Sequence, residues 1–233
     1  MKKILFILAF SNALTSELIL EITQGTEDPY RVAILKFEGD QKVSNDIDKI
    51  IRNNLKRSGE FNLFANEDLL SLPTNETEVI FNDFKILNID YLVIGKIVKD
   101  GISISVVYDI FDINKGKKIR TSTVYGIPNK NRQLGHYVSD GIYEEITGMK
   151  GISSTKILYV TENKNFNLMV ADADGSNEQI LLKSNDPIIS PAWSPDSKKV
   201  AYVSFETGMA KVYIQDIACL LYTSDAADDR GCV

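Results

Sequence analysis

Few residues of this sequence stand where chemistry would need them. His136 is the single histidine among 233 residues. An imidazole acting as base or metal ligand needs partners at defined spacing. No His-Glu-x-x-His, paired-cysteine ligand set or Gly-x-Ser-x-Gly elbow is present. What His136 does have is Asp140, four positions on. On a helix the two share a face, so a hydrogen bond or ion pair between them is expected. Asp172-Ala-Asp-Gly175 resembles the opening of a calcium loop, but the later oxygen ligands are missing, and a turn between two strands is the expectation. Trp193 could be a stacking platform; beside a Ser-Pro-Asp turn it reads as core. No glycine-rich phosphate loop follows a strand. The sequence therefore predicts no catalytic residue, no metal ligand and no cofactor.

The elements that would position these residues can be read from periodicity. Residues 131–147 predict a helix, with Leu134, Val138, Ile142 and Ile146 on one stripe and Gly148 as its stop. That helix carries His136 and Asp140, and a connector through Gly151 follows it. Upstream, residues 31–37 read as a strand. A helix follows, with Ser44 as N-cap, Asp46 and Asp48 in its first turn, and Ile47, Ile50, Ile51 and Leu55 on one face. Residues 61–64 predict a short strand and 79–87 a short helix. Residues 91–98 are almost continuously apolar, as in a strand covered on both faces. Turns at 99–101 and 114–116 divide the following residues into hairpin strands, the first with Ile102, Ile104, Val106 and Ile110 on its inner face. Residues 17–150 thus predict an α+β domain whose mixed sheet is largely antiparallel.

A repeat governs the next stretch. Tyr159 and Tyr202 lie in similar apolar strands 43 positions apart, and Asp172 and Asp216 end the strands that follow, 44 apart. A sheet unit recurring every ~40–45 residues is the signature of propeller blades. The second copy contains Pro191-Ala-Trp-Ser-Pro-Asp, in which Pro195 fixes φ and Asp196 can bond the backbone two residues on. Trp193, Pro195, Asp196, Tyr202 and Tyr159 are therefore the expected structural residues of one to two blades over 155–218. The first copy lacks the strand that opens the second, so the expected propeller is truncated and its ring open, its apolar faces unburied.

The formal net charge is −6, which offers no electrostatic footprint for nucleic acid or anionic membrane. Lys2 and Lys3 precede an apolar run from Ile4 to Phe10 and then small polar residues. That is the layout of a cleavable signal peptide over 1–16, cut after Ser16 or, alternatively, after Ala13. The run is too short for a permanent span. Behind it, Leu18, Leu20 and Ile22 alternate with Glu17, Ile19, Glu21 and Thr23, predicting a strand that docks on its own domain or on a partner's sheet edge. At the other end, residues 219–233 carry both cysteines and no strand pattern. They read as a non-native tail of translated sequencing adapter, which leaves 17–218 free of cysteine.

Taken together, these stretches resemble the TolB family, the periplasmic component of the Tol-Pal envelope system. The resemblance spans about 17–218. It rests on the helix ending Glu144-Glu-Ile-Thr-Gly148, the Lys150-Gly151 that follows, the strand Lys156-Ile-Leu-Tyr-Val160, and the stretch from Pro191 to Ser204. His136, Asp140, Gly148 and Gly151 fall at the domain junction. One departure is Ser197, where the family usually has glycine. The resemblance implies an α/β domain packed on a six-bladed propeller, no catalysis, and a monomeric scaffold in the periplasm. It implies binding of the lipoprotein Pal through the propeller and of TolA through residues 17–23. It further implies a role in outer-membrane integrity and envelope constriction at cell division. The alternative is an exported hydrolase of prolyl oligopeptidase type, whose propeller would gate a catalytic domain lying downstream.

Overall fold

A computed structural model describes residues 28–217. The signal peptide, the strand at 17–23 and the tail at 219–233 lie outside the described residues.

The first half is built on a five-stranded sheet in the order β2-β1-β3-β4-β5. Its strands are β1 (Tyr30–Ile34), β2 (Phe61–Phe64), β3 (Tyr91–Asp100), β4 (Ser103–Asp112) and β5 (Lys117–Gly126). β1 runs parallel to both neighbours, while the longer β3–β4 and β4–β5 ladders are antiparallel. Helices α1 (Gln41–Ser58) and α3 (Asn131–Thr147) cover one face. There Val32, Ile34, Val93, Val106 and Ile110 meet Ile47, Ile51, Val138 and Ile142. The short helix α2 (Phe81–Ile86) and its flanking loops cover the other, where Leu92, Ile94 and Phe111 surround Phe84 and Ile89. β3 is therefore apolar on both sides because both sides are covered.

Two local expectations change. The N-cap of α1 is Asp40, whose carboxylate accepts from the Val43 N–H at 3.1 Å. Ser44 lies a turn inside the helix, where its hydroxyl donates to the Phe37 carbonyl at 2.5 Å. A carboxylate already placed at the free N–H groups makes a second cap redundant, and the serine anchors the incoming chain instead. Ile102 does not share the inner face of β4. Asp100 pairs with Ser103, so Gly101 and Ile102 form a two-residue turn, and Ile102 is 93% exposed.

The second half consists of two three-stranded antiparallel sheets. One holds β6 (Lys156–Glu162), β7 (Phe166–Asp172) and β8 (Gln179–Ser184); the other holds β9 (Ile188–Trp193), β10 (Lys199–Ser204) and β11 (Lys211–Asp216). They face each other across one core of Leu168, Val170, Leu181, Ile188, Val200 and Tyr202, with Leu158, Val160 and Trp193 at its margin. The β6–β7 hairpin matches the β10–β11 hairpin. Tyr159 opposes Met169 in the first, and Tyr202 opposes Tyr213 in the second. The two tyrosines thus hold equivalent positions, yet only Tyr202 is buried, because among the described residues only its sheet has a neighbour on that side. Among the described residues the sheets do not close into a ring.

Candidate functional site

The side chains with the most chemistry gather where α3 meets the first of these sheets. α3 places them because its inner stripe, Leu134, Val138, Ile142 and Ile146, is fixed against the sheet of the first half. Residues on an adjacent stripe, Arg132 and His136, then point past α1 toward the turn between β7 and β8. That turn is the Asp172-Ala-Asp-Gly stretch. The Gly175 N–H bonds the Asp172 carbonyl at 2.8 Å, and Ala173 donates to the Thr155 carbonyl at 3.0 Å. The turn expected from sequence is formed, and it brings Asp172 and Asp174 toward the helix.

His136 is buried. Asn54 of α1 donates through Nδ2 to His136 Nδ1 and to Ser139 Oγ, both at 2.9 Å, and Ser139 donates to the Gly135 carbonyl at 2.6 Å. Arg57 donates to Asn54 Oδ1 at 3.3 Å. With an arginine on Oδ1, the Asn54 amide offers its N–H side to the ring. Nδ1 is then the acceptor, and the ring proton of the neutral imidazole sits on Nε2. That Nε2 has no hydrogen-bond partner; the Asp174 Oδ2 lies 3.9 Å away. Burial pushes His136 below its ordinary pKa, and the Asp174 carboxylate offsets this only in part.

Asp174 pairs with Arg132 and accepts from the Ser176 N–H at 3.0 Å. Asp172 pairs with Lys156 at 2.7 Å and accepts from Asn177 at 2.6 Å. Burial works against both carboxylates, but these partners outweigh it and hold both below the usual range. Beside them an open cleft of about 370 Å³ is lined by Asp46, Lys49, Asn53, Asn129, Arg132 and Asp174.

The expected His136–Asp140 pair does not form. Asp140 faces the connector and accepts from the N–H groups of Ser153 and Ser154, at 2.6 and 2.9 Å. An aspartate with two free backbone donors in reach is better satisfied there than by a neutral ring. Gly151 packs directly on it: a Cβ at 151 would stand 2.5 Å from the Asp140 Cα. Gly148 closes α3 at φ +74° and donates to the Glu144 carbonyl at 2.9 Å. Sequence reasoning missed Asn54, Arg132 and Asp174 as members of this cluster. Their partners lie 42 or more positions away in sequence, so no local spacing points to them.

In the second sheet the Asp196 carboxylate accepts from Ser194 Oγ at 2.6 Å and from the Lys198 N–H at 3.1 Å. Ser197 takes φ +57°, so the turn holds a left-handed residue despite its side chain. Trp193 lies at the edge of the shared core, following Pro191 and preceding Pro195. The described chain begins beside a second open cleft, of about 390 Å³. Its walls include Tyr30, Arg31, Asp90, Tyr91, Asp112 and Lys115.

Comparison with known proteins places these elements. The family model of the TolB amino-terminal domain matches residues 18–119, and that of the TolB beta propeller domain matches 143–227. The Tol-Pal system protein TolB of Alcanivorax borkumensis is 40% identical over 209 residues, covering 87% of this chain and 48% of the relative. That of Pseudomonas aeruginosa is 36% identical, covering 84% and 47%. The crystal structure of TolB from Acinetobacter baumannii superposes with a TM-score of 0.75 at 34% identity, over 86% of this chain and 50% of that one. The chain spans about half the length of the curated relatives it matches.

Proposed function

The chain belongs to the TolB family, and on that premise we propose that it is a non-enzymatic scaffold of the Tol-Pal system, working in the periplasm after its signal peptide is removed. It binds TolA through the strand Glu17 to Thr23 and the lipoprotein Pal through the propeller. By these contacts it supports outer-membrane integrity and envelope constriction at cell division. The observation that carries this reading is the order of the two matched domains along one chain, with the fold expected of each on either side of α3. Among the described residues no helix is long and apolar enough to cross a membrane.

The test is a pull-down from purified components. The mature full-length protein is offered TolA and Pal separately, beside a version lacking residues 17–23. Loss of TolA alone on deletion is the expected result. Retained TolA binding by the shortened chain removes the role given to the strand, and failure to bind either partner removes the scaffold reading.

A further inference from the structure

We propose that His136, Asp172 and Asp174 form a binding site for a divalent transition-metal ion, Zn²⁺ being the representative, that ties α3 to the first of the two paired sheets. Two observations converge on it. The ligand atoms of the three residues all lie within 4.8 Å of one another. Separately, His136 is 4% exposed, and its Nε2, 3.9 Å from the Asp174 carboxylate, has no hydrogen-bond partner. An orphaned polar atom in a buried ring is costly, and an ion among the three groups removes that cost.

The chemistry of the donors selects the metal. An imidazole with carboxylates suits zinc, nickel, copper or cobalt, whereas calcium and magnesium favour all-oxygen sets. At zinc's bond lengths two tetrahedral donors stand about 3.4 Å apart. The 3.9 Å between His136 Nε2 and Asp174 Oδ2 is wider by about half an ångström, a side-chain adjustment. The charge balance also permits exchange. Arg132 and Lys156 neutralise the two carboxylates, and both side chains lie partly in solvent, at 38% and 54% exposure. One divalent ion replaces two monovalent heads, which swing outward, with no net charge left buried.

Binding requires the ring proton to leave Nε2, with neutral imidazole carrying its proton on Nδ1. The Asn54 amide would then turn to accept from Nδ1–H through Oδ1, the outer hydrogen bond that metal-bound histidines usually make. The turn gives up the Arg57 contact at 3.3 Å and the Nδ2 bond to Ser139 Oγ at 2.9 Å, and the Ser139 hydroxyl keeps a partner through the Gly135 carbonyl.

The experiment uses the full chain with Cys219→Ser and Cys232→Ser, because thiolates would bind zinc on their own. ZnCl₂ is titrated calorimetrically, with CaCl₂ and MgCl₂ as controls, and the imidazole nitrogens of the one histidine are followed by NMR. The expected result is one site for Zn²⁺ with a shift of the Nε2 signal. His136→Gln and Asp174→Asn should each weaken it about tenfold or more. Circular dichroism shows whether those variants still fold. Lys156→Met alters no ligand and removes a competing cation, so it should bind Zn²⁺ more tightly than the parent. Absence of a Zn²⁺ site, equal binding by His136→Gln, or no tightening in Lys156→Met would each overturn the proposal.

Discussion

The two halves of the chain use the same strand signals and reach different degrees of completion. In the first half one sheet is covered on both faces, by α1 and α3 on one side and α2 with its loops on the other, and each side holds its own buried cluster. In the second half two sheets share a single cluster between them. Their outer faces keep apolar residues in solvent, with Val212 at 71% and Ile214 at 67% exposure. Period-two alternation thus fixes that a strand has an apolar face, not that anything covers it. The first half finds its covers between Tyr30 and Thr147; the outer faces of the second have none among the described residues. Local stability should differ accordingly, because protection from opening follows buried contacts.

The largest effect expected from this contrast is in proteolysis. Mild protease should cut the 233-residue chain within 156–217 well before it cuts within 30–147. Mass spectrometry of the early fragments reads the order. Equal resistance of the two halves would break the comparison. Next in size is Phe84→Ala. Phe84 is fully buried in the core beneath α2, and its truncation should destabilise the first half by about 3–5 kcal/mol. Denaturation followed by helical circular dichroism measures it, because the helices lie in that half. A loss near zero would mean that the second face of the sheet is not packed as described.

Smaller, and dependent on pH, is Asp90→Asn. Burial opposes the Asp90 charge, but the side-chain and backbone bonds from Arg31 outweigh it and lower its pKa. The folded state therefore binds fewer protons than the unfolded chain near pH 4, where a free aspartate titrates. The contribution is complete above that pH and is lost as pH falls through the lowered folded value. The pair is partly exposed, so it is worth on the order of 1 kcal/mol or less. Urea melts should show the parent ahead of the variant at neutral pH, with the gap closing in acid. A gap independent of pH would assign the effect to packing instead.

How far the sequence reached follows the same line between local and distant causes. The α3 boundaries, its buried stripe and its Gly148 stop were legible because they depend on residues within a turn or two of each other. The paired positions of Tyr159 and Tyr202 were legible because a repeat writes the same local pattern twice. β8 went unseen, since Gln179–Ser184 is short and half polar, and its pairing with β7 is what makes it a strand. The His136–Asp140 expectation failed for a related reason. Helical spacing brings two side chains within reach, but the better partners came from other elements: Asn54 for the histidine, the Ser153 and Ser154 backbone for the aspartate. At the junction, reach was local and preference was not.

The smallest expected effect sharpens the comparison most. Val212→Ser and Ile214→Ser lie on β11, an edge strand whose outer face is open to solvent. A residue already in water loses little transfer free energy when its methyls are removed, so each change should stay within about 0.5 kcal/mol. The same change at Val200, buried in the shared core one strand away, removes packed methyls and adds a hydroxyl without a partner. It should therefore cost several times more. Amide exchange in the β10–β11 ladder reads all three substitutions in one experiment. If Val212→Ser matched Val200→Ser, the outer face would be covered in solution, and the two halves of the chain would be equally complete.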